Sequence, residues 1–398
     1  MVVGATTSVT FLFGIFYSFG VFLNPLIAEF GWSSALTSFV FSVFCVSYSV
    51  SGIMIGRFTD RYGPRGTIGL GGVATALALL LSSRADAVWQ LYLTFGVMGG
   101  IGGATFWTPP MKAVMEKFES SGRMNLAVSI VSVGTGAGVL LISPLAGFFI
   151  VEYGWRTCYL LFALISLVVC AIAVLIIKNP KRTAARGKEG ESEVPDPSDK
   201  GLSGALRTRN FWSLLCTQTL GSGIARFTVL VYLVAFLITV GFSLELGALC
   251  VGLIGAGTIL GRIFSGLLSS RMRENHIMSA SYVVQGLSTI IFILSRDVWV
   301  VALSALVFGI GYGGYVPQYP ILTKESFGIK SYGLVYASIS SGLGVGSLIG
   351  PPILGGYLLA LTGNYLLTFV LSAGFSLVAG ATALLIRSPE TPRRRPTG

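Results

Sequence analysis

The sequence predicts an all-α integral membrane protein with twelve transmembrane helices, arranged as two pseudo-symmetric six-helix halves. Three observations support this fold class. Of the 398 residues, 53% are hydrophobic and 11% are charged, whereas soluble domains carry roughly 25% charged residues. Long apolar runs recur along the whole chain. Landmarks of the first part of the chain reappear at a nearly constant distance in the second part.

The apolar runs predict the individual helices, because most are close to the ~20 residues that a membrane-spanning helix needs. Their glycine, serine and aromatic content suits helices that pack on one another in lipid. The runs cover residues 3–28, 35–57, 67–83, 88–115, 125–150, 157–177, 211–239, 246–269, 277–295, 298–322, 333–361 and 364–387.

The distribution of basic residues predicts the topology. The net charge is +11, and most of it falls in a central linker and in alternate loops, whereas the opposite loops hold only Arg84, Arg156 and Arg296. The positive-inside rule then places both termini and the linker in the cytoplasm. We therefore expect a multi-pass plasma membrane protein whose partner is the lipid bilayer, and no nucleic-acid partner.

The chain divides into two related halves. We expect a first six-helix half at 1–177, a polar and largely disordered linker at 178–209, a second six-helix half at 210–387 and a basic tail at 388–398. "GWS" at 31–33 is followed 210 residues later by "GFS" at 241–243, and "GRFTDR" at 56–61 by "GLLSSR" at 266–271. Two repeated halves around a central cavity are typical of secondary transporters.

Several motifs resemble a known family. "GRFTDRYGPR" at 56–65 resembles the loop motif between spans two and three of the major facilitator superfamily. "EFGWS" at 29–33, "YGWRTCYLL" at 153–161 and "GSLIGPPILGGYL" at 346–358 are similar to its monocarboxylate transporter branch and to the related oxalate/formate exchangers. The resemblance covers nearly the whole chain. It implies a carrier, not an enzyme, that works by alternating access with a monomer as the functional unit.

The loop motif contains a candidate conformational latch of five residues: Gly56, Asp60, Arg61, Gly63 and Arg65. Glycine permits close helix approach, and Gly63 followed by proline predicts a tight turn. In the superfamily that the motif resembles, a carboxylate at the place of Asp60 bonds neighbouring helix ends in the outward-open state. A simple topology anchor is the alternative interpretation, and the two are compatible.

Arg262 is the strongest candidate for substrate binding. It is the only charge between Gly247 and Ser270, and it lies nine residues before Arg271, ~13 Å along a helix. An arginine near the bilayer centre costs ~2.5–3.5 kcal/mol on insertion scales, and no Asp or Glu is predicted at that depth. A substrate carboxylate could bind it through two parallel hydrogen bonds. By resemblance, Arg262 occupies the cavity arginine position of span eight in both branches. Backbone carbonyls and water are the alternative partners.

Arg226 is the second arginine within an apolar run, and the resemblance does not lead us to expect it. Two interpretations remain open. It is either a second substrate contact, which would suit a dicarboxylate, or a side chain that extends outward to the membrane surface.

Further candidates are weaker. Tyr312, Tyr315 and Tyr319 recur on one face of the predicted tenth helix and could bond a carboxylate, although packing explains them equally well. Thr258 stands where mammalian-type monocarboxylate carriers have an aspartate, and we include it among the substrate-binding candidates. Trp107 and Asn24 belong to the same weaker class.

The predicted function is therefore transport of a small organic anion, foremost a monocarboxylate such as lactate or pyruvate, with possible proton symport. A carboxylate exchanger or a dicarboxylate carrier is the alternative. A multidrug exporter or a sugar carrier is less favoured, because membrane carboxylates and many cavity amides are missing. We expect no cofactor and no metal site: the five cysteines lack paired spacing, and His276 is the only histidine.

Overall fold

A computed structural model describes residues 2–118, 124–177, 201–328 and 332–387, and every regular element in these ranges is a helix. Most of the predicted linker 178–209 and the whole tail 388–398 lie outside the described residues. Seventeen α-helices follow in chain order: α1 Val2–Tyr17, α2 Phe19–Phe30, α3 Ser34–Ser82, α4 Val88–Leu91, α5 Gly99–Ala104, α6 Thr108–Phe118, α7 Met124–Ile176, α8 Gly201–Ala205, α9 Arg209–Thr217, α10 Phe227–Thr239, α11 Leu244–Leu268, α12 Glu274–Leu294, α13 Val298–Tyr315, α14 Gln318–Phe327, α15 Tyr332–Ile349, α16 Leu358–Thr362 and α17 Leu366–Ala383. Three π-helical segments, Tyr92–Met98, Gln218–Arg226 and Gly350–Tyr357, continue directly between α-helices.

Two of the helices are each interrupted by one glycine. In α3 the backbone of Gly63 has φ 81°, and in α7 that of Gly154 has φ 78°. These angles lie in a region that glycine enters freely and other residues rarely adopt. Each glycine therefore reverses the chain between two antiparallel spans, and Gly63 with the following Pro64 makes the turn that the sequence predicts.

The sequence predicts twelve spans. Among the residues that the structure describes, ten helical segments are long and apolar enough to cross a membrane. One of them, Ile130–Ile176, has 47 residues and would be about 70 Å long if straight, more than twice the hydrocarbon thickness. It contains Gly154, so it provides two spans. The predicted run 88–115 falls outside the ten, because a break at residues 105–107 divides it. The helical membrane architecture is confirmed, and the count of twelve stays a prediction.

The two halves pack on each other through equivalent pairs of helices. The first part of α3 contacts α15 and Gly350–Tyr357, and the first part of α7 contacts α11. In the repeat, α11 corresponds to the first part of α3, and α15 with Gly350–Tyr357 corresponds to the first part of α7. The two contacts are therefore equivalent. Glycines make this contact close: a Cβ on Gly255 would lie 2.5 Å from the carbonyl oxygen of Gly136 in the other half. The interface thus retains the internal symmetry of the sequence.

Contacts between the halves concentrate at the end of the molecule that contains residues 31–33, which we name the GWS end. There the Tyr232 hydroxyl donates to the carbonyl oxygen of Ser34 at 2.9 Å, and a Cβ on Gly147 would lie 2.6 Å from that of Ala248. Towards the loop motif, Gly52 and Gly266 have no other atom within 4 Å of the place of a Cβ. The halves are therefore closed together at the GWS end.

Two of the motifs that carry the family resemblance meet at the GWS end. The indole nitrogen of Trp155 donates to Glu29 at 2.5 Å, and Arg156 forms ion pairs with Glu29 and, at 3.2 Å, with Asp86. Arg156 and Glu29 are 36% and 41% exposed, so the pair contributes little to stability, ~0–1 kcal/mol. All of these residues belong to the first half.

Replacement of Gly154 by alanine should destabilise the protein by roughly 1–2 kcal/mol, because alanine at positive φ meets its own backbone. Thermal unfolding in detergent measures the change. Gly374→Ala is the matched control, since Gly374 lies within α17 with no atom within 4 Å of the place of a Cβ. Equal melting temperatures for Gly154→Ala and the control would contradict the assigned turn.

Candidate functional site

Arg226 lies at the end of the π-helical segment Gln218–Arg226, inside the protein. Its side chain is 3% exposed, so it does not extend to the membrane surface. The guanidinium carbon lies 4.3 Å from the centre of the Phe227 ring and 4.5 Å from that of Tyr312. Both distances are within the range of cation–π attraction, which partly offsets the loss of water around the charge.

Two polar atoms next to each other at this position lack partners. Nε of Arg226 and the hydroxyl of Tyr315 are buried, and neither meets the geometry of a hydrogen bond in the part of the chain that the structure describes, although the Tyr315 hydroxyl lies near Ser222 and Arg226. The two side chains lie within electrostatic range of each other. Buried donors without partners are rare because each costs ~1–3 kcal/mol. An acceptor supplied from outside the protein would satisfy both.

Arg262 connects the two halves. Its Nη1 donates to the backbone oxygen of Ser132 in α7, and its Nε is buried without a partner among the described residues. Arg226, Tyr312 and Tyr17 lie within electrostatic range of it. Within the described ranges, neither arginine forms an ion pair with a carboxylate. The structure thus places two cations near each other between the halves.

The tyrosines of the predicted tenth helix have different surroundings. Tyr312 lies against Arg226, and Tyr315 stacks on Tyr282 with 4.1 Å between ring centres. Tyr319 bonds the Tyr282 hydroxyl at 2.6 Å and donates to that of Thr217 at 3.1 Å. Tyr312 and Tyr315 are therefore at the arginine, whereas Tyr319 belongs to a hydrogen-bond network within the second half.

Thr258 and the two weaker candidates have other contacts or surroundings. The hydroxyl of Thr258 donates to the carbonyl oxygen of Ile254 in its own helix. The Trp107 ring packs edge-on against Phe13 with 5.6 Å between centres, and Asn24 is partly buried in α2. Substrate binding by these residues stays a prediction.

A cavity lies beside Phe227, the residue that follows Arg226. It is partly open, and its empty volume of about 470 Å³ includes open solvent. Phe227 stacks on Arg226 and also lines the cavity, and Tyr17 and Cys45 in its wall lie within electrostatic range of the same arginine. The lining residues are Leu12, Phe13, Phe16, Tyr17, Phe44, Cys45, Tyr48, Ser49, Gly103, Phe227 and Leu343. Most of them come from the first half, whereas Phe227, Leu343 and the neighbouring Arg226 come from the second. Both halves therefore form the site.

The latch residues occupy the loop between the two arms of α3. Gly63 makes the turn, Arg61 is exposed with its guanidinium carbon 5.5 Å from the ring of Tyr62, and Gly56 has no other atom within 4 Å of the place of a Cβ. Arg65 is exposed, and the side chain of Asp60 lies outside the described part. The latch stays a prediction.

Sequence reasoning missed three contributors to the site. Tyr17, Tyr282 and Phe227 are single aromatic residues within apolar runs, where nothing distinguishes them from packing residues. The dipeptide "RF" at 226–227 carried a usable signal, because an aromatic residue beside a buried arginine can hold it by stacking.

The family model of the major facilitator superfamily matches residues 6–328 and 257–398. The chain belongs to this superfamily. Curated relatives of this major facilitator protein are monocarboxylate transporters, as the motifs predict. It is 27% identical to monocarboxylate transporter 13 of Rattus norvegicus, over 94% of this chain and 85% of that protein. It is 29% identical to monocarboxylate transporter 12-B of Danio rerio, over 79% and 71% of the two chains.

Solved structures of the superfamily share the fold. A D-xylose-proton symporter aligns with a TM-score of 0.77 at 14% identity, over 98% of both chains. A bacterial homologue of the human lysosomal transporter Spinster, in an inward-facing and unoccupied conformation, aligns with a TM-score of 0.71 at 18% identity, also over 98% of both chains. The all-helical fold of a membrane transporter is therefore confirmed.

Gly255→Val should weaken the closure at the GWS end. The added Cβ would lie 2.5 Å from both the Gly136 carbonyl oxygen and the Leu140 nitrogen, and overpacking of this kind costs about 1–3 kcal/mol. An impermeant thiol reagent added at the GWS side should then label Phe41→Cys, a position buried at the interface, at least about fivefold faster. Gly374→Ala should leave the rate unchanged. Equal labelling in correctly folded Gly255→Val would refute this role of the glycine contact.

Proposed function

We propose that the protein is a secondary carrier of small organic anions, foremost of monocarboxylates, that works by alternating access. One observation carries the proposal: Arg226 and Arg262 lie near each other between the halves, with no described carboxylate paired to either. A charge held at membrane depth is costly and is usually functional. A substrate carboxylate supplies the missing countercharge, and the names of the curated relatives agree with this substrate class.

The chemistry of the two cations suits carboxylate recognition. A guanidinium presents donors in a rigid fork that matches the two oxygens of a carboxylate. Because the site is removed from water, such a charge-assisted pair is stronger than it would be at the surface. A neutral or cationic substrate would leave both positive charges without a partner, which disfavours sugars and cationic drugs.

Arg262 offers a means of linking occupancy to movement. Its bond to the Ser132 carbonyl joins the second half to the first. A substrate oxygen near Arg262 competes with that carbonyl for the same donors, so binding weakens one contact between the halves. A ligand shifts a conformational equilibrium only through such differences in contact between the states.

The remaining expectations belong to the same proposal. The carrier resides in the plasma membrane with both termini in the cytoplasm, acts as a monomer, and uses Asp60 and the surrounding loop motif as a latch in the outward-open state. A carboxylate exchanger is the second candidate, because two neighbouring cations also suit two carboxylate groups that bind together or in turn.

Uptake of labelled carboxylates into proteoliposomes tests the proposal. Arg262→Lys keeps the charge and loses the fork, so the apparent affinity for carboxylates should fall by about tenfold or more. The corresponding amides should not compete in the wild type. Normal carboxylate uptake by both Arg262→Lys and Arg262→Ala would exclude a role of Arg262 in binding, and absence of any carboxylate uptake by the wild type would refute the proposed function.

Proton coupling has a separate prediction. Carriers commonly hold the proton on a membrane-embedded carboxylate or histidine, and arginine does not release its proton at ordinary pH. Because no Asp or Glu is predicted at the depth of Arg262, the proton should travel with the substrate. An inwardly directed proton gradient should drive accumulation, and the coupling should survive Asp60→Asn, Glu116→Gln and His276→Ala. Loss of coupling with retained exchange in one of these variants would identify a protein proton carrier. Uptake driven only by preloaded anion would favour the exchanger.

A further inference from the structure

We propose that the substrate carboxylate binds at Arg226 and Tyr315, and that an apolar body, aromatic or bulky alkyl, fills the adjoining cavity. The preferred substrate is then an aryl or large-alkyl monocarboxylate rather than lactate or a dicarboxylate. This inference rests on the proposed function, since it names the substrate class and the anion contact of the same carrier.

Arg226 is buried with a hydrogen-bond donor that is not used. The rings of Phe227 and Tyr312 hold its guanidinium by contact with the π-system. Such contacts do not consume the N–H donors, and Nε is buried without a partner. The Tyr315 hydroxyl beside it is also buried without a partner. A single carboxylate group, which accepts several hydrogen bonds, satisfies both side chains.

Arg262 differs from Arg226 because it already forms a hydrogen bond. Its Nη1 already donates to the Ser132 carbonyl across the interface. Arg226, in contrast, has two aromatic neighbours and forms no hydrogen bond to a backbone carbonyl among the described residues. Arg226 therefore receives the anion without losing a hydrogen bond, whereas Arg262 receives it in competition with the Ser132 carbonyl.

The cavity beside Arg226 and Phe227 has mainly apolar walls. Phe227 contacts the guanidinium of Arg226, and Tyr17 lies within electrostatic range of it. Both residues also form part of the cavity wall. The remaining wall is mainly aromatic and aliphatic, with Phe13, Phe16 and Phe44 at its centre. The Ser49 hydroxyl, one of the few polar groups present, donates to the carbonyl oxygen of Cys45.

These walls decide between substrate classes. A second carboxylate would have to lie among phenyl rings, where an ionised group without partners is strongly disfavoured. Lactate has only one methyl group to place against these rings, and its hydroxyl would lie among them. A phenyl or branched alkyl group would remove apolar surface of both the ligand and the cavity wall from water. This burial stabilises the complex by about 25 cal/mol per Å². The geometry therefore favours one charged end and one apolar end.

The experiment compares four probes on the purified wild type by isothermal titration: phenylpropionate, propionate, phenylpropionamide and benzylmalonate. Phenylpropionate should bind at least about tenfold tighter than propionate, because its phenyl group is buried. Phenylpropionamide, which lacks the charge, and benzylmalonate, which adds a second one, should each bind at least about tenfold weaker than phenylpropionate.

Two variants locate the ends of the ligand. Cys45→Phe fills the cavity and should abolish the preference for phenylpropionate over propionate. Cys216→Phe is its matched control, because Cys216 lies in α9 and does not line the cavity; it should retain the preference. Arg226→Gln should abolish the preference for phenylpropionate over its amide, whereas Arg156→Gln, which removes an exposed arginine at the GWS end, should retain it.

The outcomes separate this inference from the proposed function. Equal binding of propionate and phenylpropionate by the wild type, or a preference that survives Cys45→Phe, overturns the inference while carboxylate transport stands. An acid-over-amide preference that is kept in Arg226→Gln overturns the assigned anion contact. Failure of both acids to bind or to be transported refutes the proposed function as well.

Discussion

The burial of positive charge between the halves is the constraint on which the rest of this structure depends. An arginine in a low-dielectric environment is costly unless it is paired. Here Arg226 is 3% exposed and lies between two aromatic rings, and neither it nor Arg262 has a described carboxylate as a partner. Aromatic contact and a backbone carbonyl offset only part of the cost. In the proposed function a substrate anion offsets the remainder, so the unsatisfied charge and the cavity beside it are two aspects of one feature.

The packing around this charge follows from the repeated sequence. Two six-helix halves need close contact between them that can also be broken, and glycine supplies both properties. At Gly136 and Gly255 the backbones approach so closely that a side chain would not fit. The contact holds by shape alone and involves no ion pair. It therefore depends little on salt.

The sequence predicted the helical membrane fold, the position of the turn at Gly63 and the superfamily, because apolar runs, glycine and the loop motif are local signals. It also identified Arg226 and Arg262, since charge within an apolar run is conspicuous. It could not predict which side of the helix Arg226 occupies, because one arginine carries no periodicity. The cavity escaped prediction for a related reason: Phe13, Phe44 and Phe227 are distant in sequence, and only tertiary packing brings them together.

The cluster of Glu29, Asp86, Trp155 and Arg156 has a thermodynamic consequence of its own. All four residues belong to the first half. If each half moves as a rigid body, their interaction energy is the same on both sides of the transport cycle and cancels from the equilibrium between the states. Only bonds that cross the interface, such as Tyr232 to Ser34 and Arg262 to Ser132, remain in the difference. In the proposed cycle the ion pairs at the surface thus do not bias the direction, and the contacts that cross the interface, both these polar bonds and the glycine packing, set the balance between inward and outward states.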